Sequence, residues 1–110
     1  MVFTEQPLLT AIANDYGYGS VYEKPILLWG EPGDLVVTIS SSGKSENIIR
    51  ALKAARENQC STITLSGFHE DNPSRKLGNL NFYVSSNVYG IVETAHTALA
   101  HYLTTSLPRP

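Results

Sequence analysis

Four serines fall within the six residues Ser40-Ser41-Ser42-Gly43-Lys44-Ser45. The run directly follows the apolar stretch Leu35-Val36-Val37-Thr38-Ile39 and directly precedes a helical pattern. A strand that turns through hydroxyls and a glycine into a helix N-terminus makes an anion site, because unpaired backbone N–H groups and the positive end of the helix dipole face the same point. Serine hydroxyls add donors suited to the oxygens of a phosphate. A plainer use is structural, with Ser42 or Ser45 capping the helix and the others filling the turn. One cap does not need four serines, so the phosphate reading is preferred. Gly43-Lys44-Ser45 invites comparison with the nucleotide-binding Walker loop, but that motif needs a glycine where this chain has Thr38. A nucleotide triphosphatase is thereby disfavoured.

A second group with chemical potential lies in Val92-Glu93-Thr94-Ala95-His96-Thr97-Ala98-Leu99-Ala100-His101. At about 100° per residue, Glu93 and His101 stand about 80° apart around a helix, whereas His96 and His101 differ by about 140°. The two histidines are therefore not expected to act together. A neutral imidazole moves protons near neutral pH, which makes His101 a candidate acid/base, although a histidine near a helix C-terminus is also simply favourable there. His96, and His69 in its polar loop, read as surface residues. Asp15 lies in the glycine-rich run Asn14-Asp15-Tyr16-Gly17-Tyr18-Gly19 and, taken alone, reads as a turn residue bonding its own backbone. The single Cys60 cannot form an internal disulfide and reads as a buried apolar thiol in a reducing compartment.

The elements that must position these residues follow from hydrophobic spacing. Val21–Trp29 is mixed and mostly apolar, and it reads as helical provided Pro25 sits in the first turn or at a kink. Gly30-Glu31-Pro32-Gly33-Asp34 is a turn. Leu35–Ile39 has the continuous apolar character of a strand buried on both faces of a parallel sheet. From Ser45 to Asn58, apolar Ile48, Ile49, Leu52 and Ala55 alternate with Arg50, Lys53, Arg56 and Glu57 in an amphipathic helix. Ser61–Ser66 is a second strand, a polar loop leads to a short helix at Pro73–Leu77, and Leu80–Val84 is a third strand. Ile91–Leu103 closes the chain as a long helix, and Pro108 and Pro110 mark a ragged tail. Strands alternating with helices imply βαβ crossovers and an open parallel sheet, which binds ligands beyond the carboxyl ends of its strands. The serine run lies at such an end.

At 110 residues, 42% hydrophobic and 16% charged, the chain suits one small globular domain with a modest core. A formal net charge of −2 provides no basic footprint for nucleic acid or for an anionic membrane. Met1–Gln6 lacks the basic start of a signal peptide, and no apolar run approaches the roughly twenty residues of a membrane span, so a cytoplasmic protein is expected.

Asn14–Tyr18, Gly33-Asp34-Leu35-Val36, Ile39–Ser45 and Asn47-Ile48, occurring in that order, strongly resemble the phosphosugar isomerase (SIS) domain family, and within it the sedoheptulose 7-phosphate isomerases. The likeness runs from about Leu9 to Leu103. It implies an α/β three-layer sandwich around a parallel sheet, with residues 1–110 forming one partial domain of that kind. By matching position it implies that Ser40, Ser42 and Ser45 hold the substrate phosphate, with Ser41 supplying backbone or hydroxyl, and that Asp15 contacts the sugar. Lys44 stands where a small polar residue is common and is expected to point to solvent. Glu93 occupies a place commonly held by an amide, and His101 matches a histidine that serves as acid/base in a ketose-to-aldose conversion through an enediol.

Some members also hold zinc, for which Glu93 and His101 would be two ligands; two do not close a site, and no metal or other cofactor is expected. The resemblance further implies dimers or tetramers with sites at subunit interfaces. The family has a preceding stretch with a first strand and a catalytic glutamate, so a sheet lacking that strand is expected to leave an open side. The alternative to an isomerase is a module that recognises a sugar phosphate, or a protein partner, without turnover.

Overall fold

The computed structural model describes residues 6–106. Met1–Glu5 and the tail with Pro108 and Pro110 lie outside them. Five α-helices and three strands alternate after a helical start: α1 (Gln6–Tyr16), a 3-10 turn (Tyr18–Ser20), α2 (Glu23–Trp29), β1 (Leu35–Ile39), α3 (Glu46–Glu57), β2 (Ser61–Gly67), α4 (Pro73–Leu77), β3 (Leu80–Val84) and α5 (Tyr89–Ser106). The strands form one parallel sheet in the order β1-β2-β3. Helices flank it on both faces.

Local chemistry sets the helix limits. In α2, Glu23 lies in the first turn, Pro25 is tolerated there because the amide it lacks would be unpaired, and the Gly30 amide ends the helix by donating to the Ile26 carbonyl. In α3, Glu46 in the first turn and Arg56 in the last complement the dipole, while Ala51, Leu52, Ala54 and Ala55 are buried along one side. Asn72 caps α4 by accepting the Arg75 amide, and Pro73 fills its first position. Helix α1 was not expected. The Asn14–Gly19 run is helical to Tyr16, and its turn begins only at Gly17, whose φ of 90° suits glycine.

In a parallel ladder paired residues point to the same side, so the register sorts the sheet into two faces. Leu35, Val37 and Ile39 share a face with Ile63, Leu65, Leu80, Phe82 and Val84. Val36, Thr38, Thr62, Thr64, Ser66, Asn81 and Tyr83 form the other. The crossovers α3 and α4 both pack on the second face. There Val36 and Tyr22 join the core of Ile26, Ala51, Ala54, Ala55 and Cys60, and the Asn72 amide reaches the Ser66 hydroxyl. Helix α5 lies on the first face, where a Cβ on Gly67 would stand 2.7 Å from Val92 Cγ1.

The polar face is thus the well-covered one. Thr62, Thr64 and Ser66 are buried, and their hydroxyls are used: Thr62 with Asn79, Thr64 with Asn81, Ser66 with Asn72. The apolar face is only partly roofed. Helix α5 covers Leu65 but leaves Leu35, Val37 and Ile39 at 49%, 46% and 53% exposure. The expectation that β1 is buried on both faces is therefore corrected: β1 is an edge strand, and no described element lies over its apolar side.

Candidate functional site

The serine loop is built by the end of β1. The Ser40 amide extends the ladder by donating to the Leu65 carbonyl at 2.9 Å, and the chain then reverses as the Gly43 amide donates to the Ser40 carbonyl and hydroxyl oxygen, both at 3.1 Å. Gly43 has φ of 66°, a left-handed conformation that favours glycine, and a Cβ there would overlap the Asn72 side chain. The loop is fixed to α4 by the Ser74 amide, which donates to the Gly43 carbonyl at 2.8 Å. Asn72, itself buried, ties the same region together by donating to the Ser66 hydroxyl and to the carbonyls of Gly67 and His69.

Ser45 stands at the N-cap of α3 with extended backbone, but its hydroxyl makes no capping bond. The plainer use considered for Ser45, a helix cap, is therefore not how its side chain is spent. The amides of Ile48 and Ile49 both donate to the Ser45 carbonyl, so the amides ahead of them point out of the helix end. Ser42 accepts the Lys44 amide at 3.3 Å, and Lys44 is exposed as expected.

Beside this loop a cleft of about 570 Å³ opens between the end of β1 and α5, lined by Ile39, Ser41, Glu93, His96, Thr97, Ala100, His101 and Thr104. Three of the site residues named from sequence, Ser41, Glu93 and His101, meet there. Glu93 and His101 are exposed on its walls. Ser40, Ser42 and Ser45 belong to the loop but do not line the cleft; Ser40 is buried with its oxygen accepting the Gly43 amide. Asp15 is exposed at the last turn of α1, accepts a bond from the Asn14 side-chain Nδ2 at 3.4 Å, and is not among the cleft residues.

His96 corrects the sequence reading. It is 2% exposed rather than on the surface, and its Nε2 lies 2.9 Å from the Ser66 carbonyl. It shares the cleft with His101, because the cleft runs along α5 and meets the two rings at different depths. The signal was present: Val92, His96, Leu99 and Leu103 follow the i, i+4, i+7, i+11 spacing of a helix's inward stripe. His69 is exposed, as expected.

A larger trench of about 790 Å³ runs along the edge of β1 and is lined by Leu9, Tyr22, Ile26, Trp29, Val37, Cys60 and neighbours. It is mostly apolar, with Asp34 as its one charged lining residue, whereas Glu93, His96 and His101 gather in the smaller cleft. Cys60 is buried beside it, and burial first, then the Asp34 charge, push its thiol pKa upward. Arg50 is shifted upward chiefly by its bond to Glu23 at 2.7 Å, which holds α3 to α2. Among the described residues no group of three or more His, Cys, Asp or Glu side chains is placed to hold a metal ion. Glu93 and His101 alone do not fit a zinc site, and no step is assigned to one.

A model of the SIS domain matches residues 1–67, more than half of the chain. The chain belongs to the SIS domain family. Among relatives, the SIS chain is 34% identical over 110 residues to phosphoheptose isomerase from Shewanella sp. strain ANA-3, covering 96% of this chain and 55% of the relative. It is 39% identical over 98 residues to phosphoheptose isomerase from Aliarcobacter butzleri, covering 89% and 51%. The phosphoheptose isomerase of Francisella tularensis superimposes with a TM-score of 0.87 at 25% identity, over 94% of this chain and 56% of that one. The SIS chain therefore spans about half the length of the relatives it matches. The likeness and the parallel sheet between helices agree with the fold expected from sequence.

Proposed function

We propose that this SIS chain, read as one unit over residues 1–110, binds a sugar phosphate and carries the acid/base side chains of an aldose–ketose isomerase acting on sedoheptulose 7-phosphate or a related sugar. The observation that carries this reading is the meeting of the serine loop, through Ser41, with Glu93 and His101 in one cleft. The loop's hydroxyls and the α3 N-terminus suit a phosphate dianion. A sugar held by that phosphate extends along α5, where a base takes the proton from carbon 1 of the ketose to form an enediol. A proton is then returned at carbon 2 as the hydroxyl proton passes between the two oxygens. His101 and Glu93 are the groups of suitable type on the cleft wall. Asp15 is assigned to sugar contact and Ser40, Ser42 and Ser45 to the phosphate, on the strength of their matching positions. The chain is further proposed to act in the cytoplasm as a homo-oligomer.

A second reading, binding without turnover, is favoured by one observation. The cleft is open on its β1 side, where Ile39 is exposed. Incubation of the purified chain with sedoheptulose 7-phosphate, following heat of binding and aldose formation together, decides between them. Turnover abolished by His101→Ala supports the isomerase. Binding lost in Ser42→Ala, with no turnover in the unaltered chain, supports the module, and absence of binding sinks both.

A further inference from the structure

Helix α5 carries Glu93 and His101, yet of its 18 residues only Val92 and His96 are buried. Both rest on the same place, the end of β2. Val92 lies over Gly67, and His96 reaches the carbonyl of the preceding residue, Ser66, at 2.9 Å. A carbonyl only accepts, so this bond requires a ring proton on Nε2, and in the neutral ring Nδ1 is then an acceptor. That Nδ1 is buried and has no partner among the described residues. A leucine would fill the same space without an unsatisfied atom, so packing alone is a poor account of a histidine here. What the imidazole supplies, and an aliphatic side chain cannot, is a directed bond to one carbonyl.

We infer that His96 is a positioning residue of the cleft: its bond to the Ser66 carbonyl sets the register of α5 on the sheet, and so holds Glu93 and His101 opposite the serine loop. Val92 limits how closely the helix approaches but, being apolar, does little to stop it sliding or rotating; the directed bond does that. Glu93 lies nearly one turn before His96 and His101 somewhat less than one and a half turns after it, about 80° apart around the helix, so a rotation or slide of α5 changes how both face Ser41 and turns at least one of them away. The inference rests on the sugar-phosphate reading of the cleft for its effect on binding, but not for the mooring itself.

The test uses two substitutions in the full chain. In His96→Gln the side-chain amide can still donate to the Ser66 carbonyl; in His96→Leu nothing can. Amide hydrogen exchange over residues 92–101 is expected to be at least tenfold faster in His96→Leu than in the unaltered chain, and within about threefold of it in His96→Gln. Affinity for sedoheptulose 7-phosphate is expected to fall at least tenfold in His96→Leu and to be restored by glutamine. Affinity for inorganic phosphate, held by the serine loop, is expected to change less than twofold in both, with melting temperatures within about 5 °C. The inference is overturned if exchange in α5 is the same in all three chains, if glutamine behaves like leucine, or if phosphate affinity falls in parallel with sugar-phosphate affinity. Failure of the unaltered chain to bind the sugar phosphate overturns the function proposed above, while the exchange measurement still decides the mooring.

Discussion

At the scale of single residues, the serine loop depends on a close approach that only glycine allows. Gly43 is left-handed, and a Cβ on it would collide with Asn72, which is buried and bonded on both sides of its amide. Gly43→Ala should therefore cost about 2–4 kcal/mol, from backbone strain and overpacking together, read as a lower urea midpoint with unchanged slope. Asn72→Ala removes the α4 cap and three donated bonds, and should cost about 2–3 kcal/mol in the same measurement. Cys60 gives a pH effect of definite sign. Burial raises its thiol pKa in the folded chain, so the native state holds that proton more tightly than the unfolded one. The contribution is full below the unfolded thiol's value of about 8.5 and is lost as pH rises through the higher folded value. Urea unfolding between pH 7 and 10 should show a shallower alkaline decline in Cys60→Ala than in the unaltered chain.

Among the elements, the contact between β2 and α5 decides whether the two halves of the cleft face each other. Gly67 lies under Val92 with no room for a methyl, and the Ser41 carbonyl stands 3.1 Å from the same point, so Gly67→Ala must displace the Val92 side chain and strain the contact between α5 and the sheet. The expected result is a loss of about 1–3 kcal/mol in stability, accompanied by weaker sugar-phosphate binding in calorimetry. Unaltered binding would show that the position of α5 does not matter to the ligand. Most of this arrangement was legible in the sequence. The three strands, α3 and α4 were readable from local patterns: the β-branched run before the serines, the amphipathic spacing of Ile48 to Ala55, and Asn72-Pro73 at a helix start. Helix α1 was not readable, because its Asn-Asp-Tyr-Gly end carries turn residues and its turn signal outweighs the short apolar pattern before it. The cleft was half legible. Angular spacing put Glu93 with His101, but assigning His96 by residue type alone overlooked the inward stripe it shares with Val92, and a helical wheel shows no depth along a cleft.

For the whole molecule, the distribution of polarity across the sheet is the main consequence. The hydroxyls of Thr62, Thr64 and Ser66 are buried under α3 and α4 at little cost because asparagine side chains meet them, whereas the buried Thr38 hydroxyl on the same face has no partner among the described residues. Leu35, Val37 and Ile39, which gain most from burial, remain about half exposed on an edge strand, with Leu80 exposed on the same face. Bringing three half-exposed aliphatic side chains under cover is worth about 2–4 kcal/mol by area, and a parallel strand edge with unpaired backbone groups adds to the tendency to associate. The proposed homo-oligomer would use this surface. Sedimentation velocity across a hundredfold range of concentration should then show mass-dependent association in the unaltered chain. Val37→Lys places a charge at the centre of the exposed row, where burial would leave an ammonium without a partner. It should shift the distribution toward the monomer by at least tenfold in dissociation constant, with unchanged circular dichroism. Association that is indifferent to this lysine would place the contact elsewhere, and a chain that stays monomeric throughout would remove the oligomer from the proposal. Because Ile39 lines both the apolar trench and the cleft, the substitution also bears on function. If the associated form closes the open wall of the cleft, sugar-phosphate affinity should fall in Val37→Lys in proportion to the loss of association, although residue 37 does not line the cleft itself.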